Sequence, residues 1–368
     1  KNIADGYIIK LTSPIEANEC KHKFNNERNA MGRTGVNRAS KHRSHLWFII
    51  RIVLSIALLA WVLYMGYREG IFARLLHTSP IVLIVAVLSY AILQCLSALK
   101  WWLIARATDM HFPLRDAVPA YFIGMFFNLF LPGIIGGDTV RAYLVSQRSQ
   151  PRSLSLLMGT IYAQRATGFA AMVILGFIGA AWLGGRSQAL VRPALIITGM
   201  VLIAVTGVLA TLLGWRSASR WWQQKIGKFS EGAFKFLVHP RIALTVFAMS
   251  FVYHIGLDAI LLMLGVSSGM HASFWAYAAM VASLTVISML PIAIHGLGVR
   301  ELAAAQLWTL VGMQYDTALL WALLWRAMAW LCAAPGGLVY LVWMTSGLEL
   351  PAVNKANPTH IAHSQKER

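Results

Sequence analysis

Four arginines lie inside or beside apolar segments of the chain: Arg141, Arg165, Arg300 and Arg326. An arginine that faces lipid at a helix centre costs about 2.5–3.5 kcal/mol, so four would cost roughly 10–14 kcal/mol. These side chains are therefore expected to face a hydrated cavity or acidic partners. Guanidinium groups bind phosphate oxygens in a bidentate way and are weakly hydrated. The four arginines predict a substrate-binding site for a phosphate-bearing headgroup.

Asp138 and Glu301 are the carboxylates nearest in sequence to Arg141 and Arg300. Together with His295 they are candidates for coupling groups or ion-pair partners. An arginine–carboxylate pair can lock one helix to another without touching a ligand, so a structural role stays open for each arginine. The arginines still outnumber the carboxylates of the apolar segments, which leaves positive charge for an anion.

His254 and Asp258 lie one helical turn apart in the middle of a predicted span, so they share one helix face. Three interpretations are open for this pair. It could form a proton-coupling relay, since an imidazole titrates near physiological pH. It could instead form a mutual hydrogen bond, or Asp258 could be the counter-ion of Arg165 or Arg326.

Two motifs rich in proline and glycine interrupt the apolar pattern and share one spacing. Each has a Leu-Pro pair, a glycine and a Val-Arg pair: Leu131-Pro132, Gly137 and Val140-Arg141 in the first, Leu290-Pro291, Gly296 and Val299-Arg300 in the second. Arg165 lies 24 residues after Arg141, and Arg326 lies 26 residues after Arg300. The matching spacing indicates an internal repeat.

The motif glycines Gly136, Gly137 and Gly296 have two equally weighted interpretations. They permit unusual backbone conformations, so the exposed amides of a broken helix could bind an anion. They could equally allow close packing between helices.

The elements that must position these residues are membrane-spanning helices. Of the 368 residues, 58% are hydrophobic and 12% charged, which excludes an ordinary soluble enzyme. The net charge of +18 is read as orientation and contact with anionic lipid rather than nucleic-acid binding. Apolar runs that predict helices occur at about 45–66, 80–99, 154–184, 193–214, 242–266 and 316–345. Lys100, Arg106 and Arg115 are expected to end the second span, with Trp101 and Trp102 as interfacial anchors, so the loop that follows is expected to be cytoplasmic.

The two motifs are expected to form re-entrant hairpins rather than full crossings. Arg141, Arg148 and Arg152 follow the first motif closely, and a full crossing would place them outside, against the positive-inside bias. A short tilted span with an external loop is the alternative. Three crossings separate the motifs, and an odd number inverts the second copy. The predicted fold is an all-α polytopic membrane protein with an inverted repeat and two Pro/Gly-broken re-entrant hairpins.

Three regions follow from this pattern: a disordered basic cytoplasmic arm at 1–44, a transmembrane domain at 45–345, to which the resemblance described below assigns a flippase-like character, and a cytoplasmic tail at 346–368. Met31 is a candidate for the true start. The basic, aromatic stretch 215–241 predicts an interfacial helix on anionic lipid, with a solvated loop as the alternative. The location expected is a bacterial-type inner membrane, with both termini cytoplasmic.

Enzyme signatures are weak. Gly265–Gly269 matches a nucleophile-elbow pattern but caps a membrane helix instead of a strand–turn–helix. The sequence has no zincin motif and no phosphate-binding P-loop, and its three cysteines are scattered, so neither a cofactor nor a metal is expected.

The two motifs resemble the lysylphosphatidylglycerol synthase transmembrane-region family. The residues that carry the resemblance are Phe127–Asp138 with Val140-Arg141, then Arg165, then Leu290–Ile292 and His295–Glu301. That family includes the flippase half of the bacterial multiple peptide resistance factor, so the resemblance implies movement of lipids between leaflets. The tail from Glu349 to Arg368 is too short for the aminoacyl-transferase domain of that factor, so lipid synthesis by this chain is not expected.

The function expected is a lipid translocase without enzyme activity. Its partners would be membrane lipids with anionic headgroups, and no nucleic acid. A second copy of the chain or an envelope-lipid synthase are further candidate partners. The alternatives are a non-transporting scaffold or regulator of an envelope-lipid enzyme, and a membrane-embedded lipid-modifying enzyme.

Overall fold

The structure, a computed structural model, describes residues 60–61, 64, 67–68, 79–131, 136–149, 153–185, 220–289 and 297–345, without the side chains of 220–226 and 345. These residues belong to one compact unit, Leu58–Arg368. They are helical and contain no strand, which confirms the predicted all-α class. The predicted arm, the 193–214 span, the tail and the Leu-Pro turns at 132–135 and 290–296 lie outside the described residues.

The helices are numbered here in chain order: α1 Pro80–Arg106, α2 Leu114–Phe130, α3 Gly136–Ser146, α4 Leu154–Gly184, α5 Arg220–Phe234, α6 Pro240–Ser267, α7 Phe274–Met289, α8 Val299–Thr309, α9 Tyr315–Ala333 and α10 Pro335–Thr345. A 3₁₀ turn, Lys235–Val238, joins α5 to α6.

Four helical segments of the described chain are long and apolar enough to cross a membrane. They are α1 with 27 residues, α4 with 31, α6 with 28, and α9 with α10 as a 30-residue segment, Tyr315–Met344. Local sequence sets where they begin: Pro80 opens α1, and Ser153 caps α4 by accepting a hydrogen bond from the amide of Leu156. The chain is thus a helical membrane protein, and these predicted spans are confirmed.

The spans pack closely where glycine removes a side chain. On α4, a Cβ at Gly179 would overlap the carbonyl oxygen of Trp275 on α7. On α6, a Cβ at Gly256 would lie 2.9 Å from Leu93 on α1. Small residues allow backbones to approach within a membrane, where packing rather than the hydrophobic effect drives helix association. α1 and α6 run antiparallel, so their C-terminal ends lie at opposite ends of the bundle.

Two helix pairs flank these spans and have similar composition. α2 and α3 precede the 31-residue α4, and α7 and α8 precede the 30-residue segment of α9 and α10. At the end of the first pair that is away from its turn, Arg148 and Asp116 form an ion pair at 3.4 Å. At the second, the rings of Tyr277 and Trp308 lie 4.9 Å apart. The turns of both pairs lie outside the described residues, so the inverted repeat and the re-entrant hairpins stay predictions.

Residues 220–234 form α5, so a solvated loop is the wrong interpretation for this part of 215–241. α5 packs on α4 by backbone contact, because a Cβ at Gly159 would overlap the carbonyl oxygen of Phe229. Just after α5, Lys235 donates to Asp109 at 2.8 Å, and this hydrogen bond lowers the pKa of Asp109. The contact of α5 with lipid stays a prediction.

Candidate functional site

A cavity of about 550 Å³ lies among the helices, and basic side chains from four of them line it. They are Lys100 on α1, Arg141 on α3, Arg165 on α4 and Arg300 on α8. Asp138 is the carboxylate among the described lining residues. The structure therefore brings together three of the four arginines that the sequence singled out, and both motifs contribute to one site.

Arg141 is held in place by neutral and charged partners at once. Its Nη2 donates to Gln164 at 2.9 Å and lies 2.9 Å from the Asp138 carboxylate. Its guanidinium lies over two aromatic rings, 4.8 Å from the centroid of Trp101 and 4.7 Å from that of Tyr121. Its Nε and Nη1 atoms are buried without a hydrogen-bond partner among the described residues. Arg141 thus has two donors that no described residue satisfies, while its ring contacts fix its position.

Asp138 joins α3 to α4, because its second carboxylate oxygen accepts from Nε of Arg165 at 2.5 Å. Asp138 is almost fully buried, whereas the Arg165 side chain is 45% exposed and lines the cavity. One carboxylate thus binds two arginines, and both arginines line the cavity.

Arg300 has no carboxylate partner in the described part of the chain. Its Cζ lies 3.3 Å from the centroid of the Trp325 ring on α9, and its Nε is buried without a hydrogen-bond partner. A cation over a tryptophan face gains about 2 kcal/mol when desolvated, which is less than an ion pair would supply in the same place. Among the described residues, Arg300 is thus compensated by the Trp325 ring and not by a carboxylate in contact with it.

Arg326 lies outside the described cavity lining, in a pair with Glu301. Its Nε and Nη2 reach one Glu301 oxygen at 2.7 and 2.6 Å, and the other oxygen accepts from the amide of Gly298 at 2.9 Å. Gly298 has φ +77°, a conformation that favours glycine. Glu301 thus caps α8 and ties it to α9, which supports the structural interpretation for this arginine.

The two motifs place their carboxylates at different positions. Asp138 precedes Arg141 by three residues, whereas Glu301 directly follows Arg300. Each carboxylate nevertheless binds the arginine of the following long helix. Arg141 thus has an acidic partner inside the cavity, whereas no carboxylate of the described cavity lining contacts Arg300.

His254 and Asp258 lie in different surroundings, although they share one helix. His254 lines the cavity, and its Nδ1 is buried without a partner among the described residues. Asp258 is 2% exposed and lies outside the described lining, with its Oδ1 unpartnered in that part of the chain. The structure shows no hydrogen bond between these two side chains, which contradicts the mutual hydrogen bond. The counter-ion role of Asp258 stays a prediction. The coupling relay stays a prediction.

The motif glycines that the structure describes serve packing. The amide of Gly137 donates to Oδ1 of Asn128 at 2.9 Å, so it is not free for an anion. A Cβ at Gly137 would overlap the carbonyl oxygen of Gly124, and one at Gly136 would lie 2.5 Å from Leu131. Gly296 and His295 lie outside the described residues.

Lys100 and Trp101 are buried and so are not the exposed interfacial residues that the sequence predicted, although α1 does end at Arg106, another of the predicted residues. α1 continues to Arg106, Lys100 is buried, and its Nζ donates to Ser250 on α6 at 3.0 Å. Trp101 is fully buried and donates to Thr160 on α4 at 3.0 Å. Helix periodicity could have predicted the burial of Lys100, because Leu93, Ser97 and Lys100 share the face that packs inward.

Apolar and aromatic side chains complete the cavity. On α4, Arg165 is followed on the same face by Phe169 and Met172, and α7 contributes Val281 and Met289. The polarity of the lining therefore changes along α4 from a charged to an apolar stretch. Such a lining suits an amphiphile with an anionic end.

Comparison with known proteins gives two matches. The family model described as "Lysylphosphatidylglycerol synthase TM region" matches residues 48–336. A "UPF0104 membrane protein" of Methanothermobacter thermautotrophicus is 29% identical over 174 residues, which are 46% of this chain and 49% of that protein. The chain thus spans about half the length of this relative. No solved structure matches the chain.

Proposed function

Because the chain belongs to the lysylphosphatidylglycerol synthase transmembrane-region family, we propose that it is a lipid translocase that moves a phospholipid or another phosphate-bearing lipid between leaflets. The proposal includes a bacterial-type inner membrane, with both termini in the cytoplasm. It assigns the chain no covalent chemistry.

The observation that carries the proposal is the excess of positive charge inside a membrane bundle. Lys100, Arg141, Arg165 and Arg300 line the cavity together with Asp138. Buried charge without a partner is costly in a membrane, so a cationic cavity is stable when hydrated or when an anion occupies it. An anionic headgroup supplies that charge, and its tails can extend along the apolar part of the lining.

The placement of the two helix pairs supports movement across the membrane. The end of the α2–α3 pair that is away from its turn follows Asp109, which binds Lys235 in the 3₁₀ turn before α6. The corresponding end of the α7–α8 pair follows the other end of α6. Each pair contributes an arginine to the same cavity, Arg141 from one and Arg300 from the other. Rocking one pair against the other would expose the site to each leaflet in turn, as in transporters with broken helices.

The test is reconstitution of the purified full chain in liposomes with fluorescent phosphatidic acid and, in parallel, with fluorescent phosphatidylglycerol. Arg141→Ala and Arg300→Ala should each abolish redistribution between leaflets while the protein remains folded. Arg106→Ala is the matched control, because Arg106 stacks on Trp102 outside the cavity lining. Wild-type protein that leaves both lipids in place would contradict the proposal and favour a scaffold. A change in lipid mass would favour an enzyme.

A further inference from the structure

We infer that the cavity selects a phosphomonoester headgroup, with two negative charges, over a phosphodiester headgroup with one. This inference rests on the proposed function, since it names the lipid class of the same site. It separates the expected substrate from phosphatidylglycerol-type diesters and from headgroups that carry positive charge.

The charge of the cavity supports a doubly charged ligand. Arginine is always charged in proteins. Arg141, Arg165 and Arg300 therefore contribute three positive charges, and Asp138 removes one. Lys100 adds a further charge when protonated. A phosphodiester with one charge leaves the cavity positive, whereas a phosphomonoester carries about −1.5 to −2 at pH 7 and matches the arginines.

The unpartnered donors support the same headgroup. Nε and Nη1 of Arg141 and Nε of Arg300 are buried without partners in the described part of the chain, and both residues line the cavity. An unsatisfied buried donor costs about 1–3 kcal/mol, so a ligand that accepts from these donors gains that energy. A phosphomonoester presents three terminal oxygens, and a phosphodiester presents two. The extra oxygen allows one headgroup to accept hydrogen bonds from arginines of both helix pairs at the same time.

Two aromatic residues of the cavity lining disfavour a cationic headgroup. Quaternary or primary ammonium groups bind over exposed aromatic faces. Arg141 already covers the ring of Tyr121, and Arg300 covers that of Trp325. A headgroup amine would meet guanidinium groups at these two rings and be repelled.

The experiment compares two lipids that differ by one methyl group and one charge. Purified full-length protein in detergent is mixed with equal amounts of dioleoyl phosphatidic acid and dioleoyl phosphatidylmethanol, and bound lipid is counted by native mass spectrometry. The acyl chains are identical and the headgroups nearly equal in size. We expect phosphatidic acid to exceed phosphatidylmethanol by about tenfold in the bound fraction. Equal binding would overturn the inference.

Variants and a soluble ester make the result specific. Arg300→Gln should bring the ratio close to one, Arg300→Lys should retain part of the preference, and Arg106→Gln should leave it unchanged. A preference that survives in Arg300→Gln would place the selectivity elsewhere and overturn the assignment. Glycerol 3-phosphate serves as the soluble phosphomonoester. If it binds as tightly as phosphatidic acid, the ligand is a free phosphate ester and the lipid assignment fails.

The same two lipids in the liposome assay separate this inference from the proposed function. Preferred binding of phosphatidic acid without movement of any lipid would retain the inference and refute the translocase. Movement of both lipids at equal rates with equal binding would retain the translocase and refute the inference.

Discussion

Replacement of Glu301 by glutamine tests whether one buried carboxylate holds α8 on α9. Glu301 is 2% exposed, and both of its oxygens are used, one by Arg326 and one by the amide of Gly298. Glutamine keeps the shape but has a single acceptor oxygen. It can serve Arg326 or Gly298, and its amide group then faces the other donor.

The expected cost follows from the burial of the partner. Removing one member of a buried ion pair costs about 3–5 kcal/mol, because the other charge is left uncompensated. The Arg326 side chain is 13% exposed, so little water can replace the carboxylate. The hydrogen bond that glutamine retains recovers about 1 kcal/mol. Glu301→Gln should therefore lower the free energy of unfolding by about 2–4 kcal/mol.

The assay is equilibrium unfolding in mixed detergent–SDS micelles. Glu231→Gln is the control, since this carboxylate pairs with Lys235 at the protein surface and its loss should not change stability measurably. In Glu301→Gln/Arg326→Met the uncompensated charge is gone, so about 1 kcal/mol or more should be recovered relative to Glu301→Gln alone. A loss below about 1 kcal/mol, or no recovery in the double variant, would refute this reasoning.

Three further predictions concern packing, the cavity and orientation. Gly179→Ala should destabilise the protein by about 1–3 kcal/mol in the same assay, because its Cβ would overlap backbone of α7; Gly227→Ala, with nothing within 4 Å, should be neutral or stabilising. Gly168→Leu should abolish lipid movement without loss of folded protein, since its side chain would enter the cavity that Gly168 lines, whereas a retained rate would exclude this cavity as the route. In a chain without native cysteines, His111→Cys and His271→Cys should react with impermeant reagents from opposite sides, because antiparallel α1 and α6 lead to these exposed positions; labelling from one side would contradict this topology.

Apolar length was sufficient to predict the four spans that the described residues contain. The run 154–184 coincides with α4, and 242–266 falls within two residues of α6 at the start and one at the end. The ion-pair groups Asp138 and Glu301 were also predictable, because carboxylates are rare in these segments and an intramembrane arginine requires a partner. The arginine that each carboxylate binds could not be predicted. Asp138 binds two arginines, and Glu301 binds one that lies 25 residues further along the chain.

The burial of Lys100 shows where charge-based reasoning fails. The positive-inside rule assigns the first basic residue after an apolar run to the membrane surface. α1 instead extends six residues beyond Lys100 to Arg106, and Ser250 of a distant helix accepts from the lysine. A partner 150 residues away leaves no trace in local hydropathy. The separation of Asp258 from the cavity has the same origin, because helix periodicity gives the face but not the neighbour.

The two tryptophans that carry cavity arginines give the protein a built-in optical signal. Trp101 lies under Arg141 and Trp325 under Arg300, so each helix pair has its own indole beside a charge. Indole emission depends on the electric field across the ring, and an anion that binds these guanidinium groups changes that field. Among the 14 tryptophans, difference spectra against Trp101→Phe and Trp325→Phe would separate the two indoles. Occupation of each half of the cavity can therefore be followed in real time without an attached label.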